Sequence, residues 1–229
     1  MYIILVILGI FFTNINFAQI IDLTHTFDKN TIYWPTEQGF KKQTVFLGKT
    51  PQGYFYSAFK FCTPEHGGTH MDAPLHFSQM GLSVDQIKPE DLMGKAVIID
   101  VHQSCQSKAD YAISVKDIQN FEHRYRRLQA GDIVLFRTDW SRYWHDKKKY
   151  LGSNRFKDVT HLHFPGISKE AALYLVQAKV KGVGIDTASL DPGNSKTFLA
   201  HRIILGANIY GLENLDHLQK LPILNTYII

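Results

Sequence analysis

The sequence predicts a single α/β domain, and three observations lead there. Short runs with the character of buried strands, such as 96–101 and 183–186, alternate with stretches of helical pattern. Of the 229 residues, 45% are hydrophobic, 13% aromatic and 20% charged, enough apolar material for one substantial core and too much for a disordered chain. No internal repeat and no linker divides the sequence. One domain over 19–229 is therefore expected, behind a leader at 1–18.

The leader is read from residues 1–12, MYIILVILGIFF, which are apolar and lead into the more polar 13–19. Twelve apolar residues are too few to span a bilayer comfortably but match the core of a signal peptide, and Ala18 offers a small residue for cleavage. A secreted or periplasmic protein with no membrane span after processing is expected, and a cytoplasmic one if the leader is not cleaved. The alternative is a buried first strand, because the run is rich in Ile and Val.

Residues 20–24 read as the first mature strand and 32–35 as a short segment ended by Pro35. The aromatic-rich 54–62 reads as a strand that delivers the chain into a His/Asp loop. Turn and short-helix signals occupy 84–93, a buried strand 96–101, a helix 115–128 and a further strand 131–138. The irregular, aromatic-rich 139–164 reads as a long loop of the kind that covers a site. A helix is expected from about Ser168, whose hydroxyl can cap it. Glu170 suits its positive end, Ala171, Ala172, Leu175 and Val176 form its apolar stripe, and Gly182 stops it. With strand 183–186 it makes an αβ unit. Residues 203–206 and 208–210 precede a final short helix near 213–221, and 223–229 could close the domain as a strand.

The formal charge of +4 is mild, and the basic runs 124–127 and 147–149 are short and beside turns, so they read as solvated surface rather than a nucleic-acid patch. Cys62 and Cys105 lack the CxxC spacing of thiolate metal sites and redox motifs; they could form one disulfide if the protein is exported.

Chemistry concentrates in Glu65-His66-Gly67-Gly68-Thr69-His70-Met71-Asp72-Ala73-Pro74-Leu75-His76-Phe77. Positions 66, 70, 72 and 76 share one parity, so in extended chain their side chains point the same way. A straight strand over that span would measure roughly 33 Å, too long for one site, so the chain must curl. Gly67 and Gly68 permit that, and Pro74 biases Ala73 away from helix. Imidazoles with a carboxylate suit zinc and related divalent ions. Nucleophile-elbow, P-loop, dinucleotide and HExxH motifs are missing from the sequence, which leaves metal-assisted work, with His201 and Glu213 as additional candidates late in the chain.

The stretch 66–77 resembles the HxGTHxDxPxHF signature of the cyclase-like metal hydrolases, a family that includes bacterial kynurenine formamidases and isatin hydrolases. Gly68 falls on the signature glycine and Gly67 on its variable position. The likeness continues through Phe164-Pro165-Gly166-Ile167-Ser168, Gly184-Ile185-Asp186-Thr187 and Glu213-Asn214-Leu215. It implies a swivelling β/β/α domain, usually a homodimer, holding two zinc ions, with manganese the other choice. By the same resemblance His66, His70 and Asp72 are ligands of the first ion, with Asp72 bridging to the second. His201 is a ligand of the second ion, Glu213 a bridging carboxylate, His76 the acid/base, and Trp34 a wall of the substrate pocket. The implied reaction is hydrolysis of an amide carbonyl in a small aromatic molecule, N-formylkynurenine leading. A cyclic amide or lactone hydrolase of the isatin type is the alternative. A non-catalytic metal- or ligand-binding protein is the reading of another class, and a His76 with no ligand duty argues against it. Two features depart from the formamidases: the leader, since those enzymes are cytosolic as a class, and 139–164, which suggests a pocket of different shape.

Overall fold

The apolar runs along the chain become the middle of a six-stranded sheet. The computed structural model describes residues 19–229, so the expected leader lies outside the described residues. In order, the elements are β1 (Lys41–Lys49), β2 (Phe55–Cys62), β3 (His70–Asp72), α1 (Pro89–Leu92), β4 (Gly94–Asp100), α2 (His102–Ser107), β5 (Ala112–Ile113) and α3 (Val115–Arg124). There follow β6 (Ile133–Arg137), α4 (Lys147–Leu151), β7 (Gly166–Ile167), α5 (Lys169–Gln177), β8 (Gly182–Ile185), α6 (Leu199–Gly206), β9 (Tyr210–Glu213) and β10 (Thr226–Ile228). The fold is α/β, as expected.

The sheet order is β10-β4-β6-β8-β9-β3. Strands β4, β6, β8 and β9 are parallel, and β10 and β3 close the two edges antiparallel. One face carries Val97, Ile99, Val134, Phe136, Val183 and Ile185, all buried against α3, α5 and α6. The other buries Ile98, Ile133 and Leu135 under Leu215 and Leu218 of the C-terminal segment. Being covered on both faces explains why these strands read as continuous apolar runs. The αβ unit forms, with the Ser168 hydroxyl accepting the Ala171 N–H at 3.1 Å, but α5 ends at Gln177 and the left-handed Lys179 (φ 57°) makes the turn, while Gly182, expected as the stop, opens β8. The tail also pairs as read, Thr226 opposite Ala96.

Several expectations are corrected. Residues 20–24 form no strand; the Leu23 carbonyl accepts a single hydrogen bond, from the Asp216 N–H, where a strand would need a ladder. The 139–164 stretch is not an open cover: it holds α4 and a 3₁₀ turn at Trp140–Tyr143, and Trp140, Trp144, Tyr150, Leu151, Leu162 and Phe164 bury into a second core. There is no helix at 213–221. Glu213 ends β9, and the left-handed backbone of Asn214 (φ 53°) and His217 (φ 57°) turns the chain before a short 3₁₀ turn at Leu218–Lys220. Residues 203–206 lie inside α6. The basic run at 124–127 is not wholly solvated, because Arg126 makes two hydrogen bonds, 2.7 and 2.9 Å, to the buried Asp132. Both cysteines are free, Cys62 exposed at the end of β2 and Cys105 buried on α2.

The β1–β2 hairpin stands outside the main sheet. Val45, Leu47, Phe55, Tyr56, Phe59 and Phe61 are exposed on it, an apolar surface on both faces of a two-stranded ribbon. Among the described residues no helix is long and apolar enough to cross a membrane.

Candidate metal centre

The curl expected between His66 and His76 is present. Gly68 has φ +63°, and a Cβ there would lie 2.6 Å from the Phe27 ring. At Gly67 a Cβ would run into Tyr33, the residue that bridges to it across an isolated β contact. Ala73 is extended, and Pro74 opens a single 3₁₀ turn that ends at His76.

Between those bends β3 pairs antiparallel with β9, His70 opposite Glu213 and Asp72 opposite Gly211. Alternation along β3 puts His70 and Asp72 on one face, and the pairing sets Glu213 beside them. His201 arrives from the first turn of α6. Asp72 Oδ1 then lies 3.1 Å from His66 Nδ1 and 3.3 Å from His70 Nε2, while Asp72 Oδ2 lies 3.2 Å from His201 Nε2. Glu213 is placed likewise, Oε2 at 3.6 Å from His70 and Oε1 at 3.0 Å from His201. His76 stacks on His66 with ring centroids 3.9 Å apart. The structure thus brings together the six histidine and acidic residues singled out in the sequence.

His201 Nε2 and Asp72 Oδ2 are within hydrogen-bond reach, but other atoms of the cluster are left unpaired. His70 Nε2 and Asp72 Oδ1 are buried and have no hydrogen-bond partner. Buried polar atoms are normally paired, so donor atoms this close that make no hydrogen bond mark a place shaped for something between them. Two groups of residues, His66/Asp72/His76 and His70/Asp72/Glu213, have ligand atoms within 4.8 Å of one another. Nitrogen and carboxylate donors of this kind fit a divalent cation.

The surrounding contacts aim those donors. Asp191 accepts the N–H groups of Ala200 (2.9 Å) and His201 (3.0 Å), and its Oδ2 lies 2.7 Å from His201 Nδ1. That contact turns His201 Nε2 toward Asp72 and Glu213. His70 Nδ1 faces the Gly68 carbonyl at 3.0 Å, which also accepts from Asn214 Nδ2 at 2.8 Å, and the Tyr150 hydroxyl donates to Asn214 Oδ1 at 2.8 Å. Asp191 was not found from sequence. It stands ten residues before His201, and no periodicity marks it; the only signal is that a buried metal-binding histidine needs an acceptor for its second nitrogen.

Charge follows from packing. Burial opposes ionisation of Asp72, yet the three facing imidazoles hold its carboxyl well below the usual range. Burial opposes the His70 imidazolium too, but Asp72 and Glu213 raise it to about 9, and Asp191, Asp72 and Glu213 raise His201 well above the ordinary value. His76 goes the other way. Partial burial, then the neighbouring imidazoles, push it below the histidine range against the pull of Asp72, so it is neutral at pH 7.

A cavity of about 150 Å³ adjoins the cluster, walled by Trp34, Phe77 and Phe198 among others. The Phe198 ring centroid is 6.2 Å from that of Trp34 and 5.6 Å from that of Phe77. Phe198 is left-handed (φ 49°), uncommon for a bulky residue, and this strained turn begins the helix that carries His201.

The family described as "Putative cyclase" matches residues 21–192. The chain belongs to that family. A cyclase relative, the isatin hydrolase of Roseibium aggregatum, is 27% identical over 219 residues, covering 90% of this chain and 82% of its own. The kynurenine formamidase of Bacillus cytotoxicus is 30% identical over 204 residues, with 88% and 85% covered. Among solved structures, isatin hydrolase A from Ralstonia solanacearum superposes with a TM-score of 0.81 at 32% identity, covering 90% of this chain and 82% of that one. The cyclase match ends before His201 and Glu213, so the geometry above, rather than the family match, ties these two residues to the centre.

Replacing Asp191 with Asn should free His201 to rotate and lower divalent-metal affinity by about 10–100-fold, the usual cost of losing an orienting partner. Chelator competition on the purified protein measures this, and unchanged affinity would show that Asp191 does not orient His201.

Proposed function

We propose that this protein is a metal-dependent hydrolase of a small aromatic amide, with N-formylkynurenine the leading substrate. The observation that carries the proposal is the pair of buried, unpartnered donor atoms, His70 Nε2 and Asp72 Oδ1, beside an aromatic-walled cavity. About 150 Å³ is room for one aryl ring. We assign two zinc ions, manganese being the other choice, because each of the two carboxylates spans the centre. Asp72 and Glu213 both present one oxygen toward His70 and the other toward His201, and Asp72 also faces His66. Divalent cations held there supply a water of lowered pKa and polarise a carbonyl.

The chain's own residues do the rest. Trp34 and Phe198 stack the aryl group and hold its amide over the donor cluster. The aromatic walls thin the water around it. His76, neutral and stacked on His66 at the edge of the cluster, takes a proton from the attacking water and returns it to the leaving nitrogen. His76 also offers a ring nitrogen within 4.8 Å of ligand atoms of His66 and Asp72, and a variant separates the two roles. Isatin-type cleavage of a cyclic amide is the second reading, favoured by the close superposition on isatin hydrolase A. Comparing turnover of an aryl formamide and of isatin by the metal-loaded protein separates the two.

The homodimer is proposed to form through the β1–β2 hairpin. An uncovered ribbon with apolar side chains on both faces invites pairing with a second copy. Sedimentation should give a dimer, and Phe55→Glu with Phe61→Glu should shift it to monomer; a wild-type monomer would refute the arrangement. Export rests on the apolar 1–12. Mass spectrometry of the native protein should find a terminus near residue 19, and an intact Met1 in the cytoplasm would rule export out.

His76→Ala should leave metal occupancy near wild type while kcat falls by about 10²–10⁴-fold. Loss of metal, with recovery of rate in excess metal, would make it a ligand. A fall in melting temperature with little change in kcat would make it structural.

A further inference from the structure

The pocket contains one carboxylate that takes no part in the donor cluster. Glu37 sits on the turn after Trp34, its N–H donating to the Trp34 carbonyl at 2.9 Å, and its side chain lines the same cavity as Trp34, Phe77 and Phe198. It is half-buried, and its carboxylate touches the Thr36 hydroxyl at 3.5 Å. Among the described residues no lysine or arginine lines this cavity. With Ile32 and Tyr33, Glu37 also borders a polar recess of about 810 Å³, so it stands where the two depressions meet.

Lys29 and Lys147 line the recess on the far side, but on the cavity side Glu37 faces no lysine or arginine among the described residues, so its carboxylate offers a cationic group a partner at the edge of the cavity. The aromatic walls act in the same direction, since the faces of Trp34 and Tyr33 attract cations. We infer that Glu37 selects substrates with a primary ammonium at the end remote from the scissile amide, an inference that rests on the aryl-amide hydrolase reading. The aryl ring occupies the cavity, and the ammonium donates to the Glu37 carboxylate at its edge.

The test uses the metal-loaded full chain and two ortho-formamidophenyl ketones of equal length, one ending in an ammonium and the other in a methyl group. The wild type should prefer the ammonium compound by about tenfold in kcat/KM at low ionic strength, with the difference carried by KM. The ratio should fall toward one in Glu37→Gln and shrink as salt is added. The matching ketones without the formamide should show the same preference in tryptophan-fluorescence titrations, a binding readout independent of turnover. Turnover of both compounds at a ratio near one would overturn the inference and leave the hydrolase reading standing. A preference that survives in Glu37→Gln would overturn the role of Glu37. No turnover of either compound, with isatin still cleaved, would overturn the open-chain amide reading and the inference with it.

Discussion

The centre depends on one short piece of backbone pairing, three residues of β3 laid antiparallel along β9. That pairing carries His70 and Asp72, from the first third of the chain, to the edge of a parallel sheet completed by the last. Its register matters as much as its existence. A slip of one residue would turn His70 and Asp72 to the opposite face and away from Glu213. The bends on either side hold the register. Gly68 is left-handed under Phe27, Gly67 is pressed against Tyr33, and Pro74 begins a new turn. Thr69 ties down the residue just before the strand, its hydroxyl donating to the Asn214 carbonyl at 2.6 Å.

The buried polar groups behind the centre form a continuous support rather than isolated contacts. Asn214 is left-handed at the end of β9, a conformation that asparagine tolerates. From there it holds the Gly68 carbonyl, which faces His70 Nδ1, and is itself held by Tyr150. Tyr150 comes from the segment that looked like a loose cover, and its burial explains why that segment folds inward: its aromatic residues make a core that braces the support. Asp191 gives His201 the same service from another direction. Activity and packing are therefore not separable in this half of the molecule.

Much of the centre was legible because its residues cluster in sequence. His66, His70, Asp72 and His76 share a parity, and the glycines and proline needed to curl that stretch lie between them. The core strands were legible because they are covered on both faces and so read as unbroken apolar runs. What could not be read depends on partners far along the chain. Nothing local distinguishes Asp191 from a surface aspartate, or shows that Phe198 adopts a left-handed turn. Residues 20–24 have strand propensity, yet they run as irregular chain, held at Leu23 by the Asp216 N–H and at Asp22 by the His217 ring, the latter 195 positions away. The second hairpin strand, expected at 54–62, was correctly located and its partner at 41–49 was missed; the exposure of the pair is a tertiary property that aromatic content alone suggests the wrong way.

The same pairing has a consequence for when the centre can exist. Asp72 and His201 are 129 positions apart, and Gly68 and Asn214 are 146 apart. Contacts of that sequence separation form late and require most of the chain to be in place. A nascent chain, or one threaded unfolded across a membrane, has the histidines of the first half without Glu213 and His201 of the second, and so lacks part of the donor cluster. An ion held by this cluster would be acquired only as folding completes. If the leader directs export of an unfolded chain, the ion it holds is chosen by the metal supply of the compartment where it folds, not of the one where it is made.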